Sequence, residues 1–408
     1  MLKERLLGER KMLAKDVLAN IMLFSNVFIW YLCIFLILRS IISGLNTDFL
    51  STLTIWGVNF VGAVLSALIG AALIDKIGKR KSFFILWILL GIFSTLMLML
   101  IDATVPNMLM LSSFLGVSFG LGVPACMGFF AESTTVENRA RFGGIIMFIN
   151  FAGAFLLLGA IASSGILMSS VILAMWRGLG LISLLLINEE KDIVKETRCY
   201  YLSIISQKSF LYYFIPWLMF SLVNFFGMQI QTKTLGEKLA ELLIFTGTVI
   251  SGIFAIISGF LSDFFGRKRM AITGFVILGL GYAILGIFPK DLFGWFFYTL
   301  VDGAAWGIFY TLFFMTIWGD LAYGTSSAKY YALGGLPYLL SNFLRISIGV
   351  YVSEAVPDYA IFSFSAFFLF LAVIPLMYAP ETLPEKTIRD RELKQYIEKA
   401  KKAKEKYT

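Results

Sequence analysis

Histidine is absent from the 408 residues. That excludes imidazole metal sites, haem held through histidine, and Ser-His triads. Cysteine is scarce: Cys33 and Cys126 fall inside apolar runs and Cys199 in a charged loop, so nothing points to a disulfide framework. Charge is scarce as well. Asp, Glu, Lys and Arg make up 15% of the chain, against about 25% in soluble domains. With 59% hydrophobic residues and a mean hydropathy of +0.83, the chain lacks the polar surface that a water-soluble protein needs. A Gly-x-x-x-x-Gly-Lys-Ser/Thr phosphate loop is missing too, so ATP does not drive this protein directly. No cofactor and no metal site are expected.

What the chain does have is long apolar runs. At about 20 residues per crossing they make room for about twelve transmembrane helices. The first six spans are expected near Asn20–Leu38, Leu50–Ile74, Ser82–Ile101, Asn107–Ala131, Phe142–Ser163 and Leu167–Asn188. The second six are expected near Phe210–Ile230, Leu239–Leu261, Met270–Phe288, Leu292–Trp318, Tyr331–Val352 and Ala360–Tyr378. Only Ser163-Ser164-Gly165 and Ser169-Ser170 mark the turn between spans five and six. Met1 to Asp16 reads as a charged amphipathic segment rather than a cleavable signal, because the first apolar run is long enough to remain as a span.

Two short loops stand out. Gly70 to Lys81 reads Gly-Ala-Ala-Leu-Ile-Asp-Lys-Ile-Gly-Lys-Arg-Lys, a tight basic hairpin between spans two and three. Gly259 to Arg269 repeats it as Gly-Phe-Leu-Ser-Asp-Phe-Phe-Gly-Arg-Lys-Arg between spans eight and nine. Asp75 and Asp263 are 188 positions apart, and the same step carries Glu132 to Asp320 and Arg141 to Lys329. The chain therefore reads as a tandem duplication of a unit of roughly 190 residues, the repeat architecture of secondary transporters.

Lys and Arg orient the spans. Apart from Arg177 and Arg345, which lie within spans, only Arg39, Lys233, Lys238 and Lys290 fall on the side away from the hairpins. Both termini are thus expected in the cytoplasm, in a multi-pass cytoplasmic-membrane protein. The +8 net charge is this bias rather than a nucleic-acid footprint. The expected organisation is a first six-helix bundle at 1–188, a cytoplasmic linker at 189–208, a second bundle at 209–380 and a basic tail at 381–408. The tail reads as a solvated or membrane-surface helix.

On these residues the chain resembles the major facilitator superfamily. That family's hairpin signature is Gly-x-Leu-x-Asp-Arg-x-Gly-Arg-Arg, with an echo in the second half. Leu73, Asp75, Lys76, Gly78, Lys79 and Arg80 match the first copy, with Ala71 at the leading glycine. Gly259, Leu261, Asp263, Gly266, Arg267 and Lys268 match the second, with Phe264 where a basic residue is usual. Glu132 and Arg139 have the Glu-x₆-Arg spacing of the sugar-porter, or metabolite:proton symporter, branch, and Pro380-Glu381-Thr382 is similar to its Pro-Glu-Thr ending. The chain departs from that branch at Met147, where sugar porters carry a hexose-binding Gln. It also lacks Pro-Glu-Ser-Pro-Arg after span six, and only Asn224 and Gln229 echo the paired Gln of helix seven. The resemblance implies an all-α fold of 12 helices in two pseudo-symmetric six-helix bundles, but not a hexose substrate.

The charged residues can act in two places. A carboxylate at a helix C-terminus is poorly placed for its own dipole, so Asp75 must gain elsewhere: from Arg80 across the turn, or from a helix N-terminus in its own half. The resemblance implies that such contacts lock the cytoplasmic ends in one access state. The alternative is a topology signal only. Asp75, Gly78, Arg80, Asp263, Gly266 and Arg267 form this gating set, and Glu132 with Arg139 and Asp320 with Lys329 are further candidate latches or solvated surface pairs. Within the spans, Asp302 lies about 14 Å and Arg345 about 12 Å from the outer face at a rise of ~1.5 Å per residue. A charge at that depth needs a cavity or a partner. Substrate or proton site and structural ion pair are the two readings. Arg177 falls on span six, which the resemblance places outside the cavity, so a packed or snorkelling arginine is expected. Asn26, Trp30, Asn59, Asn224, Gln229 and Trp306 fall on spans that line the cavity in the family, and serve either substrate or helix packing.

The resulting expectation is a secondary transporter of a small organic solute, working by alternating access, coupled to protons through Asp302 and not an enzyme. Two span arginines against one aspartate favour an organic anion. A sugar or polyol, a drug exporter (span five has Gly153 and Gly159 but no Gly-Pro pair) and a non-transporting membrane receptor are the rivals. The expected partners are the solute, protons and the lipid bilayer, and the expected state is a monomer.

Overall fold

The computed structural model describes residues 14–45, 47–77, 79–187, 199–322 and 324–383. Spans one to three are α1 (Ala14–Gly44), α2 (Phe49–Ile77) and α3 (Arg80–Leu100). Span four is α4 (Val105–Gly120) continued by α5 (Val123–Ser133), and spans five and six are α6 (Arg139–Ile161) and α7 (Ile166–Ser183), turning at Gly165. A short α8 (Tyr201–Ile205) precedes span seven, which is α9 (Lys208–Val223), a 3-10 turn at Asn224–Phe226, and α10 (Gly227–Leu235). Spans eight and nine are α11 (Glu237–Phe265) and α12 (Arg267–Ile287). Span ten is α13 (Leu292–Phe309), a π-helical stretch at Tyr310–Thr316, and α14 (Ile317–Leu321). Span eleven is α15 (Ser327–Ser347) with α16 (Gly349–Ala355), and span twelve is α17 (Asp358–Tyr378).

Among the described residues, 10 of these helical segments are long and apolar enough to cross a membrane. The two that fall short are spans seven and eleven. The expected single helix at Phe210–Ile230 is interrupted, with Pro216 inside α9 and the 3-10 turn after it. Span eleven is polar for its length, carrying Asn342, Arg345 and several serines, and it holds Pro337. Helix breaks and π stretches of this kind depart from regular i→i−4 bonding and recur at functional sites. Asp48 sits just before α2, where the Ser51 hydroxyl and the first-turn N–H groups hold its carboxyl below the usual carboxylate range.

The chain forms two compact units, and each mixes the sequence halves. One comprises Met1–Thr135, Ile149–Ile204 and Ala322–Gly349, so α15 packs on α2 and α5. The other comprises Val136–Phe148, Ile205–Leu321 and Val350–Thr408, so the start of α6 belongs with α11 and α12. Small residues let the backbones approach. A Cβ on Gly116 or Gly120 of α4 would run into the Asn59 and Ala63 carbonyls of α2. In the second unit, a Cβ on Gly303 or Gly307 of α13 would lie 2.8 and 2.7 Å from the Gly247 and Ser251 carbonyls of α11. Both are Gly-x-x-x-Gly faces, which permit close van der Waals packing where lipid removes the hydrophobic drive between helices. The aromatics fill the cores. Trp217 stacks on Phe313 at 4.9 Å, and Phe220, Phe275 and Phe309 close around the pair.

Candidate functional site

The hairpin acids find their partners across the sequence repeat. In the first unit, Asp75 at the end of α2 accepts from the Ser326 hydroxyl at 2.8 Å and pairs with Lys329 Nζ at 2.7 Å. Ser326 and Lys329 form the N-terminus of α15, where the helix dipole favours an anion. Lys329 Nζ also donates to the Cys199 carbonyl at 2.9 Å, and the Tyr201 hydroxyl donates to the Leu68 carbonyl. Burial, with Asp75 nearby, pushes the Tyr201 phenol above its ordinary value. Arg80 does not meet Asp75. It pairs with Glu132 at 2.6 Å and lies over the Phe129 ring.

The second unit repeats the design more deeply buried. Asp263 at the end of α11 accepts from the Arg141 backbone N–H at 3.0 Å, near the start of α6, and lies 3.6 Å from the Arg141 side chain. Arg267 pairs with Asp263 at 2.8 Å and with Asp320 at 3.3 Å, and Arg139 also binds Asp320. Asp263, Arg267 and the Asp320 side chain are at most 1% exposed. Thr382 donates to Asp320 at 3.0 Å, and the Glu381 carboxylate accepts from the N–H groups of Arg267 and Lys268 at 2.8 and 3.1 Å. Glu381 thereby caps α12. Gly266 makes room for it: its φ of 102° is left-handed, and a Cβ there would collide with the carboxylate.

Three sequence expectations are thus corrected. Asp75 turns to the start of span eleven instead of Arg80 or a helix of its own half. Glu132 pairs with Arg80, not Arg139, and Asp320 pairs with Arg139 and Arg267, not Lys329. The reason is packing: α15 lies along α2 and α5, and the start of α6 lies along α11, so the cross-repeat ends are the near ones. The positional step was already the clue, since it maps Asp75–Lys329 onto Asp263–Arg141. Gly78 lies outside the described residues.

The span residues divide. Asn26 is committed to span six: its amide donates to the Trp176 carbonyl and accepts from Arg177 at 2.6 Å. Arg177 is fully buried, with its guanidinium 4.4 Å from the Trp87 ring centre and 5.4 Å from that of Trp30. It is a packed arginine held by rings and an amide, a cation–π arrangement strengthened by desolvation. Trp30 donates to Thr95 at 2.8 Å. Asn59 donates to the Ser112 carbonyl at 2.9 Å and accepts from Tyr31 at 3.2 Å. Arg345 donates to Asn342 at 2.6 Å. Asn224 opens the 3-10 turn of span seven, and Gln229 follows in α10. Trp306 stacks on Tyr310 at 4.9 Å, beside the π stretch. Asp302 is partly buried and accepts from the Tyr298 hydroxyl at 3.3 Å. It has no ion pair among the described residues, so the structural ion-pair reading of Asp302 fails.

Comparison with known proteins agrees with this architecture. A model of the Major Facilitator Superfamily matches residues 19–191 and 200–404. No curated protein sequence matches the chain. Among solved structures, the proton:xylose symporter XylE bound to 6-bromo-6-deoxy-D-glucose aligns with a TM-score of 0.65 at 15% identity, over 90% of this chain and 96% of that one. The human organic anion transporter MFSD10 (TETRAN) aligns with a TM-score of 0.67 at 12% identity, over 89% of this chain and 99% of that one.

Proposed function

The chain belongs to the major facilitator superfamily, a family of membrane transporters, and from that premise we propose that it moves a small organic solute across the cytoplasmic membrane by alternating access, coupled to protons. The observation that carries the alternating-access reading is the crossed pair of latches. Asp75 holds the start of span eleven, and Asp263 holds the start of span five. Each bond joins one sequence repeat to the other, so separating the hairpin ends of the repeats must break both. On this reading the hairpin ends face the cytoplasm, as the distribution of Lys and Arg supports. The repeats, 1–188 and 209–380, are the units that move, with 189–208 linking them and 381–408 as the tail.

Asp302 supports proton coupling. It is an acid within a span, bonded to a neutral hydroxyl and to no cation among the described residues, so it can exchange a proton without first breaking an ion pair. The substrate we favour is an organic anion. Arg177 contributes nothing to that preference, since it is sealed between Trp30 and Trp87; Arg345 is the candidate anion contact. The likeness to an organic anion transporter supports the same choice at the level of fold. A sugar or polyol is the second reading. It draws on Glu381 and Thr382, which occupy the Pro-Glu-Thr ending and take part in the charged network. The test is uptake into proteoliposomes under an imposed pH difference, after a thermal-shift screen against organic acids and sugars. Asp302→Asn is expected to abolish uphill accumulation while leaving exchange of labelled solute. Accumulation by that variant against a gradient would show that the proton travels elsewhere.

A further inference from the structure

A short chain of hydroxyls connects Asp302 to the interruption in span seven. Tyr298 lies one turn before Asp302 on α13, and its hydroxyl is 3.3 Å from the carboxylate and 3.2 Å from the Tyr282 hydroxyl on α12. Both tyrosines are buried, at 5% and 1% exposure. Their hydroxyls end against Gly227, the first residue of α10 after the 3-10 turn, where a Cβ would lie 3.2 Å from the Tyr298 oxygen and 3.5 Å from that of Tyr282. Three helices therefore meet at two hydroxyl groups. Among the described residues, no cation is hydrogen-bonded or ion-paired to Asp302, Tyr298 or Tyr282. Span eight presents Gly247 and Ile250 against Gly303, and Lys233 of span seven is bound to Asp358 and the Ser353 carbonyl.

Each hydroxyl has one proton to donate. While Asp302 is ionised it can only accept, so Tyr298 donates to it and receives from Tyr282. When Asp302 binds a proton it can donate to Tyr298, which then donates to Tyr282. Tyr282 keeps its proton, and its O–H is then free to turn toward span seven, where the 3-10 turn departs from regular helical bonding. We infer that Tyr298 and Tyr282 are positioning residues that relay the protonation of Asp302 to the break in span seven, with Gly227 leaving the space the relay needs. Protonation then favours the interrupted form of the helix, and ionisation releases it. The inference rests on Asp302 being the proton site.

The test reads span seven directly. Purified full-length protein carries Thr234→Cys, at the far end of α10, in a Cys199→Ser background; the two remaining cysteines are buried. It is placed in nanodiscs, and maleimide labelling is compared at pH 5.5 and pH 8, after correction for thiolate fraction with a free thiol. Labelling is expected to be slower at the lower pH by about fivefold, the factor that one net hydrogen bond contributes to an equilibrium. Tyr282→Phe leaves the Tyr298–Asp302 bond in place and should remove this pH dependence, as should Tyr298→Phe. Gly227→Ala, which crowds both hydroxyls, should reduce it. If the pH dependence is absent from the parent protein, the relay is wrong; if it survives in Tyr282→Phe while Asp302→Asn abolishes it, the relay is wrong and the proton site stands. If it survives in Asp302→Asn, both are wrong.

Discussion

Replacing the two hairpin acids one at a time should give unequal losses of stability, although their motifs match. Asp75→Asn removes a charge from a site where Asp75 is 27% and Lys329 12% exposed. Lys329 keeps its bond to the Cys199 carbonyl, and an asparagine oxygen can still accept from Ser326. A partly solvated pair of that kind is worth about 1 kcal/mol. Asp263→Asn acts on a network that is almost dry. It takes a carboxylate from Arg267, whose side chain is 0% exposed, and weakens the bond to the Arg141 N–H. Breaking a buried pair costs about 3–5 kcal/mol. Arg267 retains Asp320 and the carbonyls of Ser262 and Val136, so the low end, about 3 kcal/mol, applies. Thermal unfolding of the purified variants, followed by tryptophan fluorescence, should show a fall in Tm for Asp263→Asn at least twice that for Asp75→Asn. A double-mutant cycle completes the test: Asp75→Asn should couple to Lys329→Met and be additive with Arg80→Met. Equal falls in Tm, or coupling to Arg80 and none to Lys329, would refute the crossed-latch account.

The other predictions bear on function and topology. Asp75→Asn should keep expression and folding near the parent level while slowing net flux in proteoliposomes; flux within a factor of two of the parent would remove its gating role. A cysteine at Thr234 should react with an impermeant maleimide in intact cells while Cys199 does not, and labelling of Cys199 from outside would invert the topology. Gly307→Val should destabilise the second unit by several kcal/mol, because the new side chain meets the α11 backbone where a Cβ already lies 2.7 Å away, leaving no flexible neighbour to yield; a melting curve unchanged from the parent would contradict the packing.

Much of this protein is legible in its residues alone. Lipid-length apolar runs mark the spans, and the recurrence of Asp75, Glu132 and Arg141 as Asp263, Asp320 and Lys329 marks the duplication. Both signals are local: hydropathy and self-similarity need no knowledge of what packs against what. The interruptions in spans seven and ten are not visible in this way, because a run of Phe, Leu and Trp has the same hydropathy in α, 3-10 or π geometry. Partners are further out of reach. Asp75 has Arg80 five residues away in the chain, and Arg139 has Glu132 seven away, so sequence distance argues for same-half pairs. Charge attraction is long-ranged and barely directional, and it accepts whichever opposite charge the backbone brings near. Which one that is depends on backbones meeting at small residues, such as Gly128 against Ala328 and Gly259 against the Ala140 carbonyl, hundreds of positions apart in one case and more than a hundred in the other. The same contacts decide that Asn26 and Arg177 are sealed into a helix bundle while Asp302 is left to a tyrosine. Those close approaches are properties of the packed helices, and only the tertiary structure contains them.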